Sequence, residues 1–217
     1  RPPAAPADVG GDAGWRADVR RLASAPVLLS FAFFLLYAMA LLALQTYTVP
    51  TLTSLYEMPL GMATTALTGL LLGAAAGMLA GGLIAARTSR HAAVAAIAMI
   101  SGASLALLLA ARVLPAPLAV VAMVLLGFTL GCPGPSRDMI IRSIAPPNAR
   151  GKVYGFVYSA LDLGGFVAPV AFGLALDAGR PEWVFLGAAV LMAGAIPAIL
   201  QVRGGRREVA AAAARSP

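Results

Sequence analysis

Long apolar runs alternate along the chain with short connections that carry proline, glycine or charge. A helix needs about 20 mainly apolar residues to cross about 30 Å of hydrocarbon at about 1.5 Å per residue. Six stretches reach that length and predict membrane-spanning helices over 27–49, 62–86, 92–112, 116–141, 152–176 and 183–202. Between them lie Pro59-Leu60-Gly61, Arg87 to Arg90, Pro115-Ala116-Pro117, Pro146-Pro147-Asn148 and Arg180-Pro181-Glu182, residue types that interrupt helices. Runs such as LLLGAAAGMLAGGLIAA do not alternate in polarity, which excludes the tilted strands of a membrane barrel. The expected class is an all-α polytopic membrane protein. Its domains are expected as a cytoplasmic linker with a short amphipathic helix (1–26), a six-helix transmembrane bundle (27–202) and a basic cytoplasmic tail (203–217). In the linker, Trp15, Val19 and Leu22 recur at helical spacing with Arg16, Arg20 and Arg21 around the turn, the pattern of a helix lying at a membrane surface.

Composition supports that reading. The 217 residues are 60% hydrophobic and 12% charged, against about 45–50% and about 25% in soluble domains. Too little polar surface remains to cover a water-soluble globule, so a soluble enzyme is excluded. The net charge of +7 does not point to nucleic acid, because the basic residues sit in clusters between apolar runs rather than along one face. Fourteen of the 16 Lys and Arg fall in the N-terminal segment, the second-to-third connection, the fourth-to-fifth region and the C-terminal tail. The other side receives only Arg112 and Arg180. Positive charge marks the cytoplasmic side, so both termini are expected there, in an inner (plasma) membrane, with the ends near Glu57, Pro115 and Glu182 facing outward. One Cys and one His exclude a disulfide framework and a Cys/His metal site, and no cofactor is expected. Cys132 reads as a small apolar helix residue and His91, after Arg90, as a solvated loop residue.

Polar content sorts the helices, since polar side chains facing lipid are costly. The first carries Tyr37, Gln45, Thr46, Tyr47 and Thr48; the second Thr64, Thr65 and Thr68; the fourth Thr129 and Cys132; the fifth Tyr154, Tyr158, Ser159 and Asp162. The third and sixth are nearly plain and are expected to face lipid. The pattern repeats as 3+3 and suggests an inverted repeat.

Gly69, Gly73, Gly77 and Gly81 recur every four residues, which lets another helix backbone approach closely. Gly155, Ser159, Asp162, Gly165, Pro169 and Gly173 form a related stripe, and Gly127 and Gly131 a shorter one. Static packing and a surface on which helices slide need the same small residues, so both readings stand. Asp162 is expected to be the one carboxylate near mid-span. It is either a proton-carrying group or one partner of a helix–helix hydrogen bond to a Tyr or Ser, with Tyr158 and Tyr37 at similar depth. The cluster Cys132-Pro133-Gly134-Pro135-Ser136-Arg137-Asp138 bends the inner end of the fourth helix. Asp138 and Arg142 are spaced to pair, as surface charges on a kinked end or as a cytoplasmic gate. No Arg is expected at mid-span to hold an anion.

The six-helix pattern and the segment RGKVYGFVYSALDLGGFVAPVAFGLALDAG resemble the C-terminal half of a major facilitator superfamily transporter. Arg150, Gly151, Gly155, Gly164, Gly165 and Pro169 fit the family's fourth-to-fifth loop and fifth helix. Gly82, Arg87 and Arg90 match its second-to-third loop signature, while Ala86, Ser89 and His91 stand where Asp, Gly and a basic residue are usual. The fifth-helix segment is similar to bacterial drug-efflux members such as fosmidomycin-resistance-like proteins. The resemblance implies secondary active transport by alternating access, proton-coupled, with substrate held between two six-helix halves. The first, second, fourth and fifth helices would line the path, and Asp162, Tyr158, Tyr37, Gln45, Thr68 and Thr129 are the candidate substrate and proton-path residues. Gly69, Gly73, Gly77, Gly81, Gly155, Pro133, Arg137, Asp138 and Arg142 are candidates for gating and helix packing. The expected partners are the lipid bilayer, a small amphipathic or weakly polar substrate, and a missing N-terminal half or a second copy. The rivals are a non-transporting membrane scaffold and a free-standing half acting as a homodimer. An intramembrane hydrolase is disfavoured, as the chain has neither a Gly-x-Ser-x-Gly nor a second His.

Overall fold

The structure is a computed structural model that describes residues 22–145 and 150–213. Most of the 1–26 segment with its expected surface helix, the Pro146-Pro147-Asn148 connection and the last residues of the tail lie outside the described residues. The elements are α1 (Ala25–Leu55), α2 (Leu60–Arg87), α3 (His91–Ala110), α4 (Ala116–Gly131), α5 (Pro133–Ile144), α6 (Arg150–Asp177) and α7 (Glu182–Ala213). Among the described residues there is no strand. Six helices are long and apolar enough to cross a membrane, α4 and α5 together making the fourth.

Helix ends follow local chemistry. Proline stands in the first turn of α1, α4 and α5, where its missing N–H would have no helical partner anyway. Between α2 and α3, the Thr88 hydroxyl accepts from the Arg90 backbone N–H at 3.1 Å. At the opposite end of the bundle the chain turns through Glu57 (φ 52°), Arg112 (φ 54°) and Gly179 (φ 70°); of these only the glycine adopts the left-handed region without strain. Two helices outrun their expected ends. α1 continues through Pro50 to Leu55, since one proline removes a single backbone bond and a long packed helix absorbs that loss. α7 runs on to Ala213, so the backbone of the expected tail is helical over most of its length.

The packing has the symmetry of two three-helix repeats. The most extensive contacts are α2 on α4 and α1 on both α6 and α7, followed by α3 on α7. Exchanging the first three spans with the last three carries the second–fourth pair onto the fifth–first pair and the third–sixth pair onto itself. An odd number of spans per repeat inverts the second against the first. The core is built from large side chains with almost no exposure, among them Phe33, Phe34, Leu44, Met99, Met123, Leu126 and Phe185.

Within this six-helix bundle the plain helices are more buried than α2 and α6. Half of the apolar window of α3 and 44% of that of α7 are buried, against 28% for α2 and 22% for α6. Lipid and a helix interface are equally apolar, so absence of polar residues does not by itself turn a helix toward lipid. Gly102 of α3 instead nests against Met192 of α7 and Thr129 of α4.

Candidate functional site

The site begins with the break between α4 and α5. Pro133 and Pro135 have no N–H to offer the carbonyls of Thr129 and Gly131 one turn earlier. Tyr37 of α1 reaches into this turn and donates its hydroxyl to the Leu130 carbonyl at 2.7 Å. It lies about 18 Å along its helix at about 1.5 Å per residue, well inside the bundle.

Just past the break the chain places two opposite charges. Arg137 is only 14% exposed and lies over two rings of α1, with Cζ 4.7 Å from the centroid of Phe34 and 5.0 Å from that of Tyr37. A guanidinium gains from the negative face of an aromatic ring, most where water is scarce. Its Nε approaches Asp138 Oδ1 at 3.4 Å. The same oxygen accepts the Tyr158 hydroxyl of α6 at 2.9 Å, and Tyr154 donates to the Asp138 carbonyl at 3.4 Å. The Tyr154 and Tyr158 rings stack at 5.9 Å, and Tyr158 leans on Phe34 at 5.4 Å. Three elements thus converge: α1 gives the aromatic floor, α5 the ion pair, and α6 the hydroxyls that hold the carboxylate. The Ser136 hydroxyl beside them is buried with no hydrogen-bond partner.

Several expectations change here. Asp138 does not pair with Arg142, which is exposed and without a partner among the described residues. Tyr158, twenty residues away, takes the carboxylate instead. At the kinked end of the fourth apolar stretch Arg137 is largely buried, while Asp138 keeps 46% of its side chain exposed. Both stand toward the C-terminal end of that stretch, past the proline break, so the expectations of no Arg at mid-span and of Asp162 as the one carboxylate near mid-span are unchanged by them. Asp162 makes no hydrogen bond to Tyr158 or to a serine; it is exposed on α6, without a partner among the described residues. His91 is half-buried at the start of α3 with its Nδ1 unpartnered, rather than a solvated loop residue.

The remaining candidates divide into groups. Gly73, Gly77 and Gly81 of α2 face the backbone of Val124, Phe128 and Cys132, while Gly127 and Gly131 of α4 face the backbone of Leu70 and Ala74. A Cβ at any of these five would run into a carbonyl oxygen. A Cβ at Gly69 would lie 2.7 Å from the Val124 side chain. Gly155 lies elsewhere, with nothing within 4 Å of where its Cβ would be. Thr68 is exposed and bonds back to Thr64 at 3.0 Å, Thr129 bonds back to Leu126 at 2.8 Å, and Gln45 is half-buried. None of these three joins the Arg137 cluster. Cys132 is buried at the end of α4, and Pro133 opens α5. Phe34 was not legible as a site residue because an apolar ring at helical spacing reads as core.

The opposite end is tied by one bond. Tyr56 donates to the Leu109 carbonyl at 2.8 Å, joining the ends of α1 and α3. Burial raises its hydroxyl above the ordinary value of 10.0 and Arg112 partly offsets this, so it stays protonated as a donor across the physiological range.

No group of His, Cys, Asp and Glu among the described residues could hold a metal ion. Six helices long and apolar enough to span a membrane, in two inverted repeats, around a half-buried ion pair: these define a polytopic membrane protein with a charged cluster within its helical bundle. The chain belongs to the Major Facilitator Superfamily, whose family model matches residues 27–216. It is therefore a multi-pass membrane protein of a transporter family. A search of curated proteins finds no match.

Proposed function

We propose that the chain carries out secondary active transport of a small molecule by alternating access, coupled to protons, as one six-helix half of the transporter. The other half is a preceding set of six helices or a second copy of this chain. Both termini lie in the cytoplasm of a cell bounded by an inner (plasma) membrane, as the clustering of basic residues supports. Resemblance to drug-efflux members favours export. No cofactor and no nucleic acid enters this reading.

One observation carries it. Asp162 lies twelve positions into α6, inside a span, exposed and without a partner among the described residues. A carboxylate near the bilayer centre is unfavourable by about 2.5–3.5 kcal/mol on insertion scales, so it has to meet water, a proton or another protein surface. Around it on α6, Gly155, Ser159 and Phe166 are exposed too. A path between two halves supplies such surroundings, and a carboxylate there can take a proton on one side and release it on the other.

The test is flux driven by an imposed pH gradient in proteoliposomes holding the cell-made protein. Asp162→Asn is expected to abolish gradient-driven accumulation while leaving expression and folding intact. Unchanged gradient-driven flux in that variant removes the coupling role, and absence of any flux across a broad panel favours the scaffold reading. The mass of the cell-made product, detected through the C-terminal tail, separates a preceding half (about twice 22.0 kDa) from a free-standing chain.

A further inference from the structure

The guanidinium of Arg137 is only partly used. It has five N–H donors, and the only acceptor it meets among the described residues is Asp138 Oδ1, reached through Nε at 3.4 Å. The terminal nitrogens have no hydrogen-bond partner, yet they are not among the buried polar atoms left unsatisfied. They therefore keep some contact with solvent and are not sealed among side chains. The face of the group is covered by Phe34 and Tyr37, and Asp138 is held to one side by Tyr158.

A forked cation with its terminal donors open, set within a membrane span and backed by rings, matches one chemistry. The two terminal amino groups can take the two oxygens of a carboxylate or phosphonate in parallel hydrogen bonds. The rings of Phe34 and Tyr37 lie beside the apolar part of the same molecule. With only 14% of the Arg137 side chain exposed, less water competes for its terminal donors, so they gain more from an oxyanion than those of a surface arginine do.

We infer that the open end of Arg137 is the subsite for the oxyanion of an amphipathic organic anion. This rests on the transport reading, in which that anion is cargo. It narrows the expectation of an amphipathic or weakly polar substrate to a specific class: a small molecule with an aromatic or aliphatic body and one carboxylate or phosphonate. A phospholipid headgroup offers the same oxyanion from a different source, and the experiment separates the two.

The full-length protein is placed in phosphatidylcholine nanodiscs and its thermal unfolding is followed in titrations of benzoate, phenylphosphonate and neutral benzamide. A ligand that binds only the folded state raises the midpoint in proportion to its affinity. Benzoate or phenylphosphonate is expected to bind at least about tenfold tighter than benzamide, the difference made by one charge-assisted pair. Arg137→Gln should erase that preference, Arg137→Lys should weaken it about tenfold by losing the fork, and Arg142→Gln should leave it intact. If Arg137→Gln does not fold, Arg137→Lys carries the test. Equal binding of benzoate and benzamide, no shift by any probe, or a preference that survives loss of Arg137 overturns the inference. So does stabilisation that depends on Arg137 but arises only from phosphatidylglycerol, which would assign the site to lipid. Anion binding without flux would leave this inference standing and sink the transport reading. Flux confined to neutral or cationic molecules would do the reverse.

Discussion

Placing a single methyl group at Gly77 tests how α2 and α4 are held together. The ideal Cβ there overlaps the carbonyl of Phe128, part of the main chain of the neighbouring helix, which cannot rotate aside as a side chain would. The helices have to separate by roughly an ångström to restore ordinary contact, and that gap loosens the neighbouring contacts at Gly73 and Gly81 as well. Overpacking of this kind costs about 1–3 kcal/mol, while alanine gains up to about 1 kcal/mol in helix propensity. Because the clash is with main chain, the upper part of the overpacking range applies, about 2–3 kcal/mol, and the net loss for Gly77→Ala is about 1–2 kcal/mol, or roughly a five- to thirty-fold fall in the folded-to-unfolded ratio. Gly131→Ala, whose Cβ would meet the Ala74 carbonyl from the other side, should behave alike. The two together should cost less than their sum, because one separation relieves both clashes. Gly155→Ala, with open space around it, should be neutral. Reversible unfolding in mixed detergent micelles measures all four. A Gly77→Ala variant as stable as the parent, or strict additivity of the pair within about 0.5 kcal/mol, would refute the argument.

Three further outcomes follow from the polar contacts. Tyr158→Phe removes the donor that holds Asp138 and, at a site partly open to solvent, should lower stability by about 1 kcal/mol, with a larger loss in transport; unfolding and flux read the two separately. Tyr56→Phe frees the Leu109 carbonyl and should lower stability by about 0.5–1.5 kcal/mol. Because burial raises the Tyr56 pKa, the parent's advantage over that variant should be fully present below about pH 10 and decline only above it, which unfolding at stepped alkaline pH would reveal.

The bundle was legible because a spanning helix must carry an unbroken apolar length, and six such lengths stand clear of their connections. The close approach of α2 was legible for an equally simple reason: a glycine every fourth residue leaves one helix face without side chains. The ion pair was misassigned because the spacing rule sees only neighbours on one helix. It pointed Asp138 at Arg142, whereas the partner that holds the carboxylate, Tyr158, arrives from another span. Nothing in the pattern distinguished Phe34 from any other core ring, since its role depends on Arg137 lying above it. Polarity did not reveal that α3 and α7 pack closely on each other, because alanines and glycines suit a helix neighbour as well as they suit lipid.

The glycine contacts between α2 and α4 also bear on how such a protein changes over generations. Where main chain meets main chain, almost any substitution intrudes, so those positions have little room to drift. α6 has one such approach, where a Cβ at Gly164 would lie 3.0 Å from the Leu35 carbonyl oxygen of α1, and is otherwise fastened differently, through the hydroxyl of Tyr47 on the Pro169 carbonyl at 2.6 Å, the Phe172 ring against Gly187, and Tyr158 on Asp138. Side chains can be exchanged singly for others of similar reach. A lineage adapting to new compounds would accumulate its changes along α6 and the α5 bend, while the α2–α4 seam stayed constant as the frame on which they are tried.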